Sequence, residues 1–169
     1  MVKRPKSTNP HPIAEAHDMQ TVLFLCTHNS ARSQMAEAFL NQLCGDRYKA
    51  ESAGSTPTGI NPHVATVMAE AGLPLTGHRS KSVEEFRGRN FNYVVTVCDQ
   101  AKEMCPFFPG EKEIHKPFPD PSAFKGAEEE ILANTRRVRD EIKLWIEETF
   151  CKGNPDDKAG LLGMRDMLK

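Results

Sequence analysis

The sequence predicts an α/β fold, a three-layer α/β/α arrangement with a four-stranded parallel sheet, and three observations carry that expectation. Apolar or β-branched runs alternate along the chain with amphipathic helical patterns. Two of those runs close on a cysteine, Cys26 and Cys98. The helix-like segments carry a single apolar stripe, as helices laid on a sheet do.

Residues 21–25 form the first run, a buried strand that stops at Cys26. A helix follows over 33–43, with Met35, Ala36, Phe39, Leu40 and Leu43 on one face and Gly45 ending it. Residues 48–54 read as a short strand closing on Gly54. Asn61 and Pro62 open a second helix, whose stripe is Val64, Val67, Met68 and Ala71 and whose stop is Gly72. A short helix is expected over 82–86. Residues 91–97 are nearly continuous in apolar and β-branched side chains, the pattern of a central parallel strand, and Cys98 sits at its end. Residues 113–116 suit an edge strand, and 128–150 a long helix buried through Ile131, Val138, Ile142, Trp145 and Ile146.

The chain has 169 residues, 38% of them hydrophobic, which suits one domain and not two. We expect that domain over 20–150, between a proline-containing, charged extension (1–19) and a tail without a catalytic role (151–169). No repeat or linker interrupts it. A net charge of -1 offers no field to gather nucleic acid or anionic lipid, so neither is an expected partner. No stretch approaches the length of a membrane span and the first residues lead into prolines, so a cytoplasmic location is expected. Five cysteines at irregular spacing do not suggest a disulfide framework, and in a reducing compartment they are more often free, metal-bound or catalytic. Zinc is excluded on spacing: six residues separate Cys98 from Cys105, no compact second pair lies nearby, and His115 alone does not supply one. No metal and no cofactor is expected.

The chemistry is concentrated in Cys26, Thr27, His28, Asn29, Ser30, Ala31, Arg32 and Ser33. A strand, a short polar loop and a helix start aim several backbone N–H groups at one point, where an oxyanion is favoured. The same N–H groups, the helix dipole and the permanent charge of Arg32 favour a thiolate at Cys26, and Arg32 can grip two anion oxygens at once. A lone cysteine closing a buried strand is more often an inert small hydrophobe. Here Asn29, Ser30, Arg32 and Ser33 cluster round it, and Cys26 reads as an oxyanion-handling nucleophile.

Cys98 and Cys105 form a second cluster, with Pro106 and Pro109 just beyond. In a regular helix they would stand roughly 10 Å apart, too far for a disulfide, so bonding requires the segment to unwind. The prolines and the lack of an apolar stripe make that segment easy to open. A thiolate bonded to an oxyanion centre cannot complete a two-electron reduction alone; a second thiol must attack the first sulfur, and a third can carry the disulfide to the surface. Asp120 lies on a loop stiffened by Pro119 and Pro121, where it can protonate a leaving oxygen; by itself Asp before Pro is more often a plain turn.

With these residues in place the chain resembles the thioredoxin-coupled arsenate reductases built on the low-molecular-weight protein tyrosine phosphatase fold. The resemblance spans about 22–150 and rests on the run from Cys26 to Glu37, on Ser52, Ala53 and Gly54, on Val94 to Cys98 with Cys105 and Pro106, and on Asp120 and Pro121 with Arg137 to Ile142. It implies that arsenate is the substrate, held by the loop from Thr27 to Ser33 and by Arg32, while Asn29 and Ser33 hold the loop and the thiolate. Cys26 attacks arsenic and Asp120 assists the departure of water. Cys98 then attacks Cys26 and arsenite leaves, and Cys105 attacks Cys98 to give a Cys98–Cys105 disulfide for thioredoxin to reduce. A monomer is the expected working form. Some members bind potassium; Asn29, Glu37 and Ser52 match its ligands, but Lys81 stands where an aspartate is expected, and its ammonium replaces the cation.

Other readings remain beside this one. A tyrosine phosphatase uses the same loop, arginine and aspartate, but follows Asp-Pro with tyrosines where this chain has Ser122, Ala123 and Phe124, and it has no use for Cys98 and Cys105. A reductase coupled to glutathione and glutaredoxin is a second alternative, and a non-enzymatic oxyanion or redox sensor a third. Cys44 and Cys151 have no role in any of them and read as structural or incidental.

Overall fold

A computed structural model describes residues 19–99 and 103–159. Four strands, β1 (Gln20–Cys26), β2 (Tyr48–Gly54), β3 (Tyr93–Thr96) and β4 (Lys112–His115), form one parallel sheet in the order β2-β1-β3-β4. Leu25 lies opposite Ala53 on one side and Thr96 on the other, so the strands end together at one rim. That rim is where a parallel sheet presents its ligands.

Alternation along β1 assigns the two faces. Val22, Phe24 and Cys26 join a core with residues of α1 (Arg32–Cys44), α2 (Pro62–Glu70) and α3 (Glu128–Ile146). Leu23 and Leu25 point the other way, into a smaller core with Val94, Phe91, Phe108 and the 3-10 turn Val83–Phe86. The second covering layer is thus one short turn and loop aromatics, thinner than the first. Phe150 anchors the larger core, with Phe24, Tyr48, Tyr93 and Trp145 packed edge-on round it at centroid distances of 5.2–6.2 Å.

Several expectations shift at element ends. Leu43 is exposed and the neighbouring Cys44 is buried instead, where it bonds Cys151. Ala71 lies outside α2 and is exposed, because Gly72, at φ +82°, already turns the chain there. The last helix ends in a widened turn over Glu147–Cys151. The expected tail is in part folded: residues of the turn Pro155–Asp157 pack against the sheet, with Pro155 and Ala159 buried and Asp156 accepting from Tyr93 and paired to Lys112 at 2.7 Å. The extension over 1–18 and residues 160–169 lie outside the described residues. No helix among the described residues is long and apolar enough to cross a membrane.

Candidate active site

Cys26 ends β1 and Arg32 begins α1, so the five residues between them make the whole turn from strand to helix. Asn29 adopts φ +49°, a left-handed conformation that asparagine tolerates better than most residues. The carbonyls of this loop all face outward: Thr27 accepts from the Thr56 N–H, His28 from Thr58, Asn29 from the Ser80 hydroxyl, Ser30 from Asn61 and Ala31 from Met35. Because C=O and N–H of a peptide point in opposite directions, the N–H groups of residues 28–32 converge inward. Ala31 supplies no side-chain cap to α1, which leaves the helix N-terminus to serve a ligand.

Gly54 allows this loop to lie against β2. A Cβ there would come within 2.7–2.9 Å of the Thr27 and Cys26 carbonyls and the Asn29 nitrogen, so any other residue would push the loop out. Buried amides hold it from behind: Gln34 Nε2 donates to Asn29 Oδ1 and to the Arg79 carbonyl, each at 2.9 Å, and the Lys81 N–H donates to Asn29 Oδ1 at 2.8 Å. Neither Gln34 nor Ser80 stands out in the sequence, since each acts on groups of Asn29 and Arg79 that only the fold brings close.

Cys26 is buried and unbonded. Its Sγ lies 2.8 Å from Ser33 Oγ, which accepts from Asn29 Nδ2 at 2.7 Å. With the Ser33 oxygen so engaged, its proton is free to point at the sulfur and stabilise a thiolate. Arg32, 2% exposed, brings its guanidinium to the mouth of the loop. Glu103 takes two of its nitrogens, at 2.7 and 2.8 Å, Asp120 Oδ2 lies 3.5 Å from one of them, and Nε is buried with no partner among the described residues. These hydrogen bonds hold the Glu103 carboxyl at about 2. Asp120 also caps the short turn Pro121–Ala123 by accepting from the Ser122 N–H at 2.9 Å, and Ser122 accepts from Asn61. Its turn and its place at the arginine therefore coexist.

The fold brings together Cys26, Thr27, Asn29, Ser33, Arg32 and Asp120. His28 sits outside, its Nδ1 3.1 Å from the Thr56 carbonyl. Cys98 is buried just beyond β3 and is bonded to Cys105, with Cα atoms 6.1 Å apart, closer than the roughly 10 Å of a regular helix. Cys44 and Cys151 are bonded to each other, which fits the structural one of their two expected readings, while the expectation of no disulfide framework is corrected: four of the five cysteines are paired, and a separation of 107 residues hides such a pair from any local pattern. Glu103, unremarked in the sequence, is the tightest partner of Arg32.

The sequence profile of the low molecular weight phosphotyrosine protein phosphatase family matches residues 21–149. The chain belongs to that family. Within the family it is 42% identical over 122 residues to an arsenate reductase of Bacillus subtilis, covering 72% of this chain and 88% of that protein. A solved arsenate reductase in the phosphate binding state superposes with TM-score 0.66 at 26% identity, covering 80% of this chain and 100% of that one. A thioredoxin-dependent arsenate reductase from Corynebacterium glutamicum superposes with TM-score 0.52 at 27% identity, covering 81% of this chain and 69% of that one. The four-stranded parallel sheet with its helices is thus the phosphatase-family fold, as expected.

Beside the loop, Glu37 accepts from the Ser52 hydroxyl at 2.5 Å, and the Lys81 ammonium lies 3.9 Å from the same carboxylate and donates to the Arg79 carbonyl at 3.2 Å.

Proposed function

We propose that this protein reduces arsenate to arsenite by a relay through Cys26, Cys98 and Cys105 that thioredoxin regenerates. The observation that carries this reading is the cysteine pattern: Cys26 is free at the head of an anion loop while Cys98 and Cys105 are bonded, which is the arrangement such a relay ends in.

In the first step the Cys26 thiolate attacks arsenic(V), held by inward N–H groups and Arg32, and Asp120 protonates the departing oxygen. Ser33 Oγ, held by Asn29 Nδ2, lies 2.8 Å from the attacking sulfur and keeps it in place. Cys98 then attacks Cys26 Sγ; the sulfur–arsenic bond electrons stay with arsenic, arsenite leaves, and Cys26–Cys98 forms. Cys105 attacks Cys98 Sγ, the Cys26 thiolate departs, and the Cys98–Cys105 bond remains. Thioredoxin supplies the two electrons that open it. Met104 and Phe107, 77% and 72% exposed, stand on either side of the half-buried Cys105, the more accessible half of that bond, while Cys98 is buried. No further cofactor takes part, and the protein works as a monomer in the cytoplasm.

The family's phosphatase chemistry is the second reading, because the loop, Arg32 and Asp120 serve phosphate equally well. Arsenate-dependent oxidation of NADPH with thioredoxin and thioredoxin reductase, beside a glutaredoxin-coupled control, decides between them. Turnover with thioredoxin alone, lost in Cys98→Ser and Cys105→Ser, supports the relay. Hydrolysis of a phenyl phosphate that survives both changes, without arsenate turnover, would make the protein a phosphatase. Lys81 adds a side test: arsenate affinity should stay within about twofold on adding potassium, and a clear rise would remove Lys81 from the role of built-in cation.

A further inference from the structure

Resting on the relay above, we propose that Glu103 is a built-in anion that occupies the substrate's arginine while Cys98 and Cys105 are bonded, so that the oxidised protein rejects oxyanions until it is reduced. Glu103 lies between the two bonded cysteines, two residues before Cys105. Its Oε1 accepts from Arg32 Nη2 at 2.7 Å and from Thr27 Oγ1 at 2.9 Å, and its Oε2 from Arg32 Nη1 at 2.8 Å and from the Asp99 N–H at 3.1 Å. Two of the donor residues belong to the anion loop itself. The carboxylate thus mimics an oxyanion, with two oxygens shared between a guanidinium fork and a loop hydroxyl.

Charge makes the occupancy exclusive. Arg32 is the guanidinium of the loop, and Cys26, Asp120 and Glu103 all act on it as negative groups. A doubly charged oxyanion entering beside all three meets net repulsion at short range in a shielded site, whereas one entering after Glu103 has left finds both Nη groups and the unpartnered, buried Nε. Protonation does not release Glu103 under working conditions, because Arg32 holds its carboxyl at about 2. Release must come from the chain. The Cys98–Cys105 bond tethers Glu103 over the loop, and the Glu103 N–H donates to the Asp99 carbonyl at 2.9 Å as a second tie. Once the disulfide is opened, only noncovalent ties remain, and Glu103, already a fifth exposed, can yield to the substrate. Reduction is thereby ordered before binding, and an enzyme short of reductant does not trap arsenate.

Binding of inorganic phosphate to the full chain by calorimetry tests this, with the disulfide state checked by thiol titration. Wild type should bind phosphate at least about tenfold more weakly when oxidised than when reduced. Glu103→Gln and Glu103→Ala should strengthen binding to the oxidised form by about that factor and leave the reduced form within about threefold. Variants that bind the oxidised form no better than wild type overturn the proposal. So does equal weakening of both forms, which would make Glu103 a positioning residue for Arg32. Failure of reduced wild type to bind phosphate overturns the proposal together with the loop's role as an oxyanion site. A protein with the expected binding pattern but no arsenate turnover keeps the gate and loses the reductase reading; turnover without the affinity gap does the reverse.

Discussion

Two disulfides close this molecule at opposite rims of its sheet. Cys98–Cys105 spans 7 residues just beyond β3, beside the anion loop and between exposed side chains; Cys44–Cys151 spans 107 residues and ties the far end of α1 to the end of the last helix. Closing a short loop removes little entropy from the unfolded chain, so opening it disturbs the fold little. Closing a long one removes more, of order 4–5 kcal/mol in the chain-entropy model. Under the proposed relay one bond type therefore serves two purposes, turnover at the rim beside the anion loop and cohesion at the other.

The largest expected effects separate those purposes. Cys26→Ser should lower arsenate turnover by at least about a thousandfold, since a hydroxyl has neither the charge nor the nucleophilicity of the thiolate. Cys105→Ser should release about one arsenite per protein and then stop, because Cys98 can still free the product but nothing then frees Cys26. Cys44→Ser should turn over within about twofold of wild type. Counting arsenite released per protein over time, with arsenate in excess and thioredoxin supplied, checks all three, and loss of turnover in Cys44→Ser would collapse the distinction between the disulfides.

Stability should show the converse, with a smaller effect. Cys44→Ser or Cys151→Ser is expected to destabilise the fold by about 2–4 kcal/mol and to lower Tm by roughly 5–15 °C without reductant. Dithiothreitol should bring wild type down to the variants and leave the variants unmoved. Calorimetric scans with and without reductant measure this, and an equal fall in Cys105→Ser would show that both bonds are structural.

How much of this was legible follows the same division. The anion loop could be read because strand, loop and helix start lie within a few consecutive residues, and Cys26, Asn29, Arg32 and Ser33 meet by chain geometry alone. Asp120 was legible as a candidate because two prolines mark its loop, although its 3.5 Å approach to Arg32 depends on the whole sheet. Cys44–Cys151 was not, since a pair 107 residues apart leaves no local pattern, and at the end of α1 a rotation of one position buries Cys44 in place of Leu43. Glu103 was equally hidden: an acidic residue in a polar segment reads as solvated until the bonded cysteines fold it back onto Arg32.

Acid gives the smallest and most selective effect. Glu103 has a usual carboxyl value of 4.5 that falls to about 2 in the folded protein, chiefly through its hydrogen bonds to Arg32. A carboxyl lowered by folding contributes stability that is complete above about pH 4.5 and is lost as pH falls toward about 2. For a partly exposed group this amounts to about 1–2 kcal/mol after screening. The Cys44–Cys151 bond has no proton to gain, so its contribution is level across the same range. Denaturant titrations between pH 6 and pH 3 should therefore show wild type losing more stability than Glu103→Gln, while Cys44→Ser starts lower and falls in parallel with wild type. Parallel lines for wild type and Glu103→Gln would mean that the ion pair over the anion loop adds nothing to the fold, and that Glu103 is held there by the Cys98–Cys105 tether alone.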